Sequence, residues 1–367
     1  MTLWQAQMGN SSMADTRRYA IIGCGMMGRE HMRNLALIDG AKLAAICDPD
    51  PGSRQLAKAQ ADALDQSIDI FTDQADMIRT IQPDAVIVAS PNFTHFDVVA
   101  PLMEAKIALL VEKPMCTTID DAASLMSSVK SYEPLFWVGL EYRYMPPVTR
   151  FIERIHNSDA GEIKMLSIRE HRFPFLEKVG DWNRFNRNTG GTLVEKCCHF
   201  FDLMRHILRD EPARIFASGA QDVNHLDERY SGEVPDIIDN AFVMVDFERG
   251  ARAVLDLCMF AEGSEQQEEI SVVGPGGKME VKLPVGEVTW SPRDKSGPFV
   301  EHVPTPQDAL AAGTHHGATY FQLADFHAAL IDGSEPQISA EDGYRSVLMG
   351  AAAQQSIATG QPVEIKF

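Results

Sequence analysis

The segment RYAIIGCGMMG (residues 18–28) joins a β-branched run to a glycine-rich turn and the start of a helix. Arg18 to Ile22 reads as a short strand, and Met26 to Leu37 carries helical spacing. Between them Gly23-Cys24-Gly25-Met26-Met27-Gly28 is GxGxxG, a dinucleotide signature when it falls at a strand-to-helix turn. Gly23 permits the tight turn, Gly25 lets the backbone approach a pyrophosphate, and Gly28 lets the helix pack on the strand. With Met26 and Met27 these glycines form the expected phosphate cradle, at a helix N-terminus whose amides face the anion. Asp48 stands twenty residues beyond Gly28, at the end of the next apolar run, Lys42 to Cys47. A carboxylate there accepts both ribose hydroxyls and repels a 2′-phosphate, which predicts NAD rather than NADP. The plainer alternative is an aspartate that only opens a turn before Pro49.

Outward from this turn, strand and helix alternate. Ser53 to Leu64 is Ala-rich and helical, Ala85 to Ala89 is a fully apolar strand, and Phe96 to Ala105 is helical. Ala108 to Val111 is another buried strand, Asp120 to Val129 a helix, and Leu135 to Val138 extended. This alternation predicts a doubly wound parallel sheet, a Rossmann domain over residues 17–140. The second half differs. Asn240 to Phe247 and Ala251 to Met259 flank the hairpin signal Glu248-Arg249-Gly250. Glu269 to Val273, Met279 to Leu283 and Glu287 to Trp290 continue the pattern, so an antiparallel sheet is expected. One helix interrupts early, Leu193 to Leu208, and two close the chain, Thr319 to Ile331 and Ala340 to Thr359. The fold class is α/β, with an α+β second domain over residues 141–367 and a loose tail over residues 1–16.

Lys and Arg total 33 against 52 Asp and Glu, for a net charge of −19 over 367 residues. Such a field repels nucleic acid and anionic membranes as partners. No apolar run approaches the roughly 18 residues of a membrane span. Residues 1–16 lack the basic start and apolar core of a secretory signal, and the six cysteines form no CxxC pair. A reduced, cytoplasmic chain without structural disulfides is expected.

The ordered motifs resemble those of the Gfo/Idh/MocA oxidoreductases, from about residue 18 to 365. They are GCGMMG at 23–28, Asp48, Ser90-Pro91-Asn92 with His95, and Glu112-Lys113-Pro114. Then follow Tyr142-Arg143-Tyr144 with Pro146, and Gly190-Gly191-Thr192-Leu193 leading through Glu195 to His199 and Asp202. Phe321 to Phe326 and Ser339 to Gly343 fit the closing helices. The resemblance implies a Rossmann domain joined to an open, mostly antiparallel α/β domain, assembled as a homodimer or homotetramer. It implies cofactor contacts from Ser90, Pro91, Asn92, His95, Glu112, Lys113 and Arg143, besides the glycine turn and Asp48.

It also implies a pyranose, inositol or related polyol as substrate. Lys113 would sit beside nicotinamide and substrate, where an ammonium eases deprotonation of the reacting oxygen. On a helix Glu195 and His199 are i and i+4 and share one face. In the resemblance His199 is the acid/base, and Glu195, commonly Asp in the family, orients it or binds a neighbouring hydroxyl. Two plainer readings compete: a helix-surface ion pair, or a metal held by Glu195, His199, Asp202 and His206. The metal is disfavoured, since nicotinamide chemistry needs no Lewis acid beside Lys113 and His199. His171 and Arg172, in a stretch like HRNP of inositol dehydrogenases, are expected to line the pocket, with Phe173 as an apolar wall. Trp182 is a sugar-stacking platform or a core tryptophan. His316 reaches the pocket or belongs to a capping loop. The expectation is an NAD-dependent dehydrogenase that oxidises a secondary hydroxyl of a sugar, glycoside or cyclitol. Its rivals are a redox-neutral, NAD-dependent glycoside-cleaving enzyme and a non-catalytic NAD-binding sensor.

Overall fold

The structure, a computed structural model, describes residues 16–366, so the expected tail lies outside the described residues except for Thr16. The first half comprises β1 (Arg17–Ile22), α1 (Met26–Leu35), β2 (Ala41–Cys47), α2 (Pro51–Ala63) and β3 (Asp69–Phe71). It continues with α3 (Gln74–Ile81), β4 (Ala85–Val88), α4 (His95–Glu104), β5 (Ala108–Glu112), α5 (Ile119–Val129) and β6 (Phe136–Gly139). The six strands are parallel, in the order β3-β2-β1-β4-β5-β6. Helices cover both faces, so β4, β5 and β6 are buried along their whole length and read as apolar runs, broken only where Glu112 closes β5. The strand order reverses between β1 and β4, and open parallel sheets bind ligands at the carboxyl ends flanking such a reversal.

The second half comprises α6 (Pro146–His156), β7 (Met165–His171), α7 (Asn186–Thr189), α8 (Thr192–Glu195), α9 (Cys198–Leu208) and β8 (Pro212–Ala220). After these come β9 (Asn240–Phe247), β10 (Arg252–Cys258), β11 (Glu268–Gly274), β12 (Gly277–Leu283), β13 (Glu287–Pro292) and β14 (Phe299–His302). The chain closes with α10 (Gln307–Ala312), α11 (Ala318–Asp332), α12 (Ala340–Thr359) and β15 (Val363–Glu364). Among the described residues this sheet has nine strands, ordered β14-β13-β12-β11-β7-β10-β9-β8-β15. Every pairing is antiparallel except that of β7 with β10. Alternation sets the two faces: Ala241, Val243, Val245 and Phe247 of β9 are buried while Phe242 and Met244 are exposed. The buried face packs under α6 and α12. Helix α12 also touches α5 and β6, and so ties the two sheets together. Its ends are sharp, with a capping box of Ser339 and Asp342 at the start and Gly360 in the left-handed region at the end.

One predicted element is corrected. The single helix over Leu193 to Leu208 is two, because the chain turns at Lys196 and Cys197 between α8 and α9. The Lys196 side chain is drawn into the interior, where Nζ donates to the Tyr142 hydroxyl and lies 2.9 Å from Glu170 Oε1. A buried ammonium is retained only with such partners. The break separates the directions of Glu195 and His199.

Candidate active site

The glycine turn fits a dinucleotide. Gly23 has φ +92°, and a Cβ there would lie 2.4 Å from backbone atoms of Ala89 and Ser90, where β1 and β4 converge. A Cβ on Gly28 would lie 1.9 Å from the Gly23 carbonyl oxygen, so α1 can rest on the strand only through glycine. A Cβ on Gly25 would meet nothing within 4 Å. That open side fronts the start of α1, which has neither a side-chain cap nor an acidic residue in its first turn. Unpaired amides, the positive end of the helix dipole and open space make an anion cradle. Met26 is exposed at its rim and Met27 is half-buried. Asp48, at the end of β2, accepts from the Cys24 amide at 2.6 Å and from the Asp50 amide at 2.8 Å. Each of its oxygens keeps a lone pair for a further donor.

The carboxyl end of β4 carries Ser90, Pro91 and Asn92. Thr94 Oγ1 donates to Ser90 Oγ at 2.8 Å, and Pro91 leads into the short turn that buries Asn92. His95 differs from expectation. It is fully buried, its Nδ1 and Nε2 standing 2.9 Å and 3.0 Å from the carbonyl oxygens of Pro114 and Ser90. It is a strut between the ends of β4 and β5, with no ring nitrogen left for a cofactor. Glu112 is likewise internal, 2.7 Å from His31 Nε2.

Lys113 leaves β5 and points toward the second domain, its Nζ 3.4 Å from the Glu195 carbonyl oxygen. Burial pushes its pKa down, but the negative potential of Cys198, Glu141, Glu195 and Glu112 outweighs this, and the pKa is raised. It is an ammonium at neutral pH. Glu195 is 2% exposed, with Oε1 3.8 Å from Lys178 Nζ and Oε2 buried without a partner. The Asn92 amide faces its carboxyl group. Burial raises the Glu195 pKa against the pull of Lys178 and Lys113.

His199 lies elsewhere in the cleft. Its ring stacks on Tyr142 with centroids 4.0 Å apart and planes 9° apart. Its Nε2 is 3.7 Å from Glu141 Oε1, and its Nδ1 is buried without a partner. Burial, then Lys113, Lys196, His315 and Arg172, push its pKa well below the usual histidine value. The imidazole is therefore neutral and can accept a proton. The carboxylate beside it is Glu141 and not Glu195, which corrects the expected i, i+4 pair.

Three further expectations change. Arg143 does not face the cradle. Its Nε and Nη2 bind the Asp202 carboxylate at 2.6 Å and 2.5 Å, its Nη1 donates to the Gln337 carbonyl at 3.0 Å, and Asp342 lies 3.3 Å away. The guanidinium pins the entry to α6 onto α9 and α12. Asp202 is thereby consumed, and among the described residues no cluster of three His, Cys, Asp or Glu side chains could hold a metal. His171 falls on the outer face of the sheet, 3.0 Å from Asp256 Oδ1, because Leu166, Ile168 and Glu170 take the inner parity of β7. His316 caps Glu268 at 3.6 Å, whereas its neighbour His315 faces the site and lies 3.1 Å from Glu30 Oε1. Arg172 and Trp182 stay at the cleft. Arg172 lies 3.3 Å from Glu170 Oε1. Trp182 is half-buried, with Lys178 Nζ 4.8 Å over its ring and Phe93 edge-on at 6.1 Å.

Sequence reasoning missed Glu141, Lys178 and His315. Glu141 had a usable signal, since it follows β6 at the ligand-binding edge of the sheet. Lys178 sits in an irregular run between β7 and α7 that carries no periodicity.

A parallel sheet with an open glycine cradle and an acid at the second strand, facing a neutral histidine and a charged lysine, defines a dinucleotide-dependent oxidoreductase. Residues 17–140 match the family described as oxidoreductase family, NAD-binding Rossmann fold, and residues 152–365 match its C-terminal alpha/beta domain. The chain belongs to the Gfo/Idh/MocA oxidoreductase family and is an NAD-binding enzyme. It is 26% identical over 359 residues to a myo-inositol 2-dehydrogenase of Thermotoga maritima, covering 95% of this chain and 98% of that one. It is 26% identical over 357 residues to a scyllo-inositol 2-dehydrogenase (NAD(+)) of Bacillus subtilis, covering 95% and 96%. Its fold matches a levoglucosan dehydrogenase solved with NADH and levoglucosan, with a TM-score of 0.82, 20% identity and coverage of 95% and 99%.

Proposed function

We propose that this enzyme oxidises a secondary hydroxyl of a sugar, glycoside or inositol-like polyol to the ketone. The observation that carries the reading is the pairing of opposite protonation states in one cleft. Lys113, at the carboxyl end of β5, is held charged, and His199, beside Glu141 after β6, is held neutral. His199 accepts the hydroxyl proton, and Lys113 donates a hydrogen bond to the oxygen as negative charge develops there. Glu195 and Lys178 bind the neighbouring hydroxyls, and Trp182 offers a ring face to the C–H side of the substrate. Gly23, Gly25, Gly28, Met26, Met27 and Asp48 hold the dinucleotide, with Ser90, Pro91 and Asn92 beside it. Bound NAD supplies the hydride acceptor, and the protein orients the reacting carbon against it. The relatives named inositol dehydrogenases support the substrate class. A panel of inositols, hexoses and glycosides, screened for NADH formation, tests the reading. Turnover of none of them overturns it.

Asp48 sets the cofactor preference. Asp48→Ser weakens NAD binding and narrows the preference over NADP, since the ribose acceptor and the repulsion of a 2′-phosphate go together. Isothermal titration of both dinucleotides checks this, and a parent enzyme that binds NADP more tightly contradicts it.

The outer face of the second sheet carries the proposal of a homodimer or homotetramer. Phe242, Met244, Met165 and Phe216 are 63%, 51%, 61% and 40% exposed there. An apolar patch of this kind on a sheet face suits burial against a second copy. Phe242→Asp is expected to shift the mass by light scattering toward the monomer, and an unchanged mass removes this face as the interface. A reducing, cytoplasmic compartment fits the six free cysteines.

A further inference from the structure

Glu141 is 1% exposed, and both its carboxyl oxygens are buried without a hydrogen-bond partner from another residue. A carboxyl group left so costs stability, and such groups cluster where the chemistry uses them. Around it stand His199 and Cys198 of α9, Glu112 and Lys113 at the end of β5, Tyr142 beside it in the chain, and His315 ahead of α11. The surroundings of His199 explain the need for it. Lys113, Lys196, His315 and Arg172 all oppose an imidazolium at that position. A proton that His199 accepts must therefore be offset or handed on, and Glu141 Oε1 is 3.7 Å from its Nε2. Catalytic hydrogen bonds are commonly this long before substrate binds.

We propose that Glu141 is the proton-accepting partner of His199, so that the base of this enzyme is a His199–Glu141 pair. The inference rests on the dehydrogenase reading above and adds a residue to it. In the step, the substrate O–H bond breaks and an N–H bond forms on His199. The ring then gives up a proton to the Glu141 carboxylate, where an O–H bond forms. One proton has moved from the alcohol to Glu141, the ring is neutral again, and the negative charge has moved from the carboxylate to the substrate oxygen beside Lys113. That charge would be discharged as the C=O bond forms and the carbinol C–H bond breaks, the hydride passing to the acceptor that bound NAD would supply. Burial pushes the Glu141 pKa up to about 7, against the pull of His315 and Lys113, so near neutral pH the group can both take and release a proton.

The test is Glu141→Gln, which keeps size and shape but cannot ionise. The parent's kcat/KM falls on the acid side of neutrality, as Glu141 becomes protonated and can no longer accept. In Glu141→Gln this limb disappears and kcat falls by roughly 10²-fold, the scale of a lost proton acceptor. KM and NAD affinity stay within a few-fold. Glu141→Asp keeps the limb and part of the rate, which separates charge from packing. Difference infrared spectroscopy of the cofactor-free protein gives a readout independent of turnover: a carboxylic-acid band that titrates near neutrality in the parent and is missing in Glu141→Gln. Folding stability shows the same linkage. The folded pKa is raised, so the native state holds a proton that the unfolded chain has released between the usual carboxyl range and about 7. Stability from this group is lost as pH rises through that window, so the Tm advantage of Glu141→Gln grows toward alkaline pH. A Glu141→Gln enzyme with the parent's acid limb and a rate within a few-fold overturns the proposal and leaves the dehydrogenase reading standing. No NADH formation by the parent with any polyol overturns both.

Discussion

Lys113→Met lowers kcat by about 10²–10⁴-fold and leaves NAD affinity within a few-fold. Methionine keeps the length of the side chain and removes the charge and all three donors. In the proposed reaction the ammonium sits where negative charge concentrates as the hydroxyl proton departs, and a donor aimed at developing charge is worth most in a site that excludes water. Its part in binding NAD is expected to be the smaller one, because the cradle is built by the open turn at Gly25, after β1, and the carboxylate of Asp48, after β2. The variant should fold, since the hydrogen bond it forfeits is a long one, 3.4 Å to the Glu195 carbonyl. Steady-state kinetics with cofactor titration check the split. A folded Met variant within a few-fold of the parent removes Lys113 from the chemistry.

His199→Asn should remove a comparable factor, about 10²–10⁴ in kcat/KM, at every pH. Asparagine fills part of the same space against Tyr142 and has no basic nitrogen. The sign of the pH dependence follows from the site. Burial and the surrounding cations hold the His199 pKa well below its usual value, so the neutral, accepting form persists into acid solution. A histidine in water would lose its accepting form below about 6.5. An acid limb near neutrality in the parent therefore belongs to Glu141, and the residual rate of His199→Asn should be free of it. Retention of the limb in that variant contradicts the pairing of the two groups.

Glu195 shows where reading by spacing alone fails. Positions 195 and 199 share a face only if the helix is continuous, and the burial of Lys196 against Glu170 and Tyr142 breaks it. That interaction joins residues far apart in the chain, and no local pattern reports it. His171 was legible by a different route. Leu166, Ile168 and Glu170 alternate with Ser167, Arg169 and His171, and the apolar pair at 166 and 168 already marks the inner parity. The motif resemblance drew attention to the wrong side of the strand. Arg143 and His95 were singled out for the cofactor because both lie in motifs, yet both hold the scaffold of the site.

The fold itself was largely legible. The strands buried on both faces announce themselves as apolar runs, and α12 begins at Ala340 and ends at Thr359 as its caps dictate. The elements left out were short or weakly patterned. Edge strand β3 has no buried residue, and α3 buries only Met77 and Ile81. Helix α6 was an avoidable omission, since Val148, Phe151, Ile152 and Ile155 mark one helical face.

The proposed reaction is a net two-electron oxidation of a polyol carbinol by bound NAD, with Lys113 and His199 as its acid–base machinery. The most direct measurement uses the turned-over polyol carrying deuterium on its carbinol carbons, with mass spectrometry of both nicotinamide and sugar products. Deuterium is expected on the reduced nicotinamide, in proportion to ketone formed and released, with a collapse of that transfer in Lys113→Met and His199→Asn. Deuterium that returns to the sugar product with no net NADH, or transfer that survives both substitutions, contradicts it.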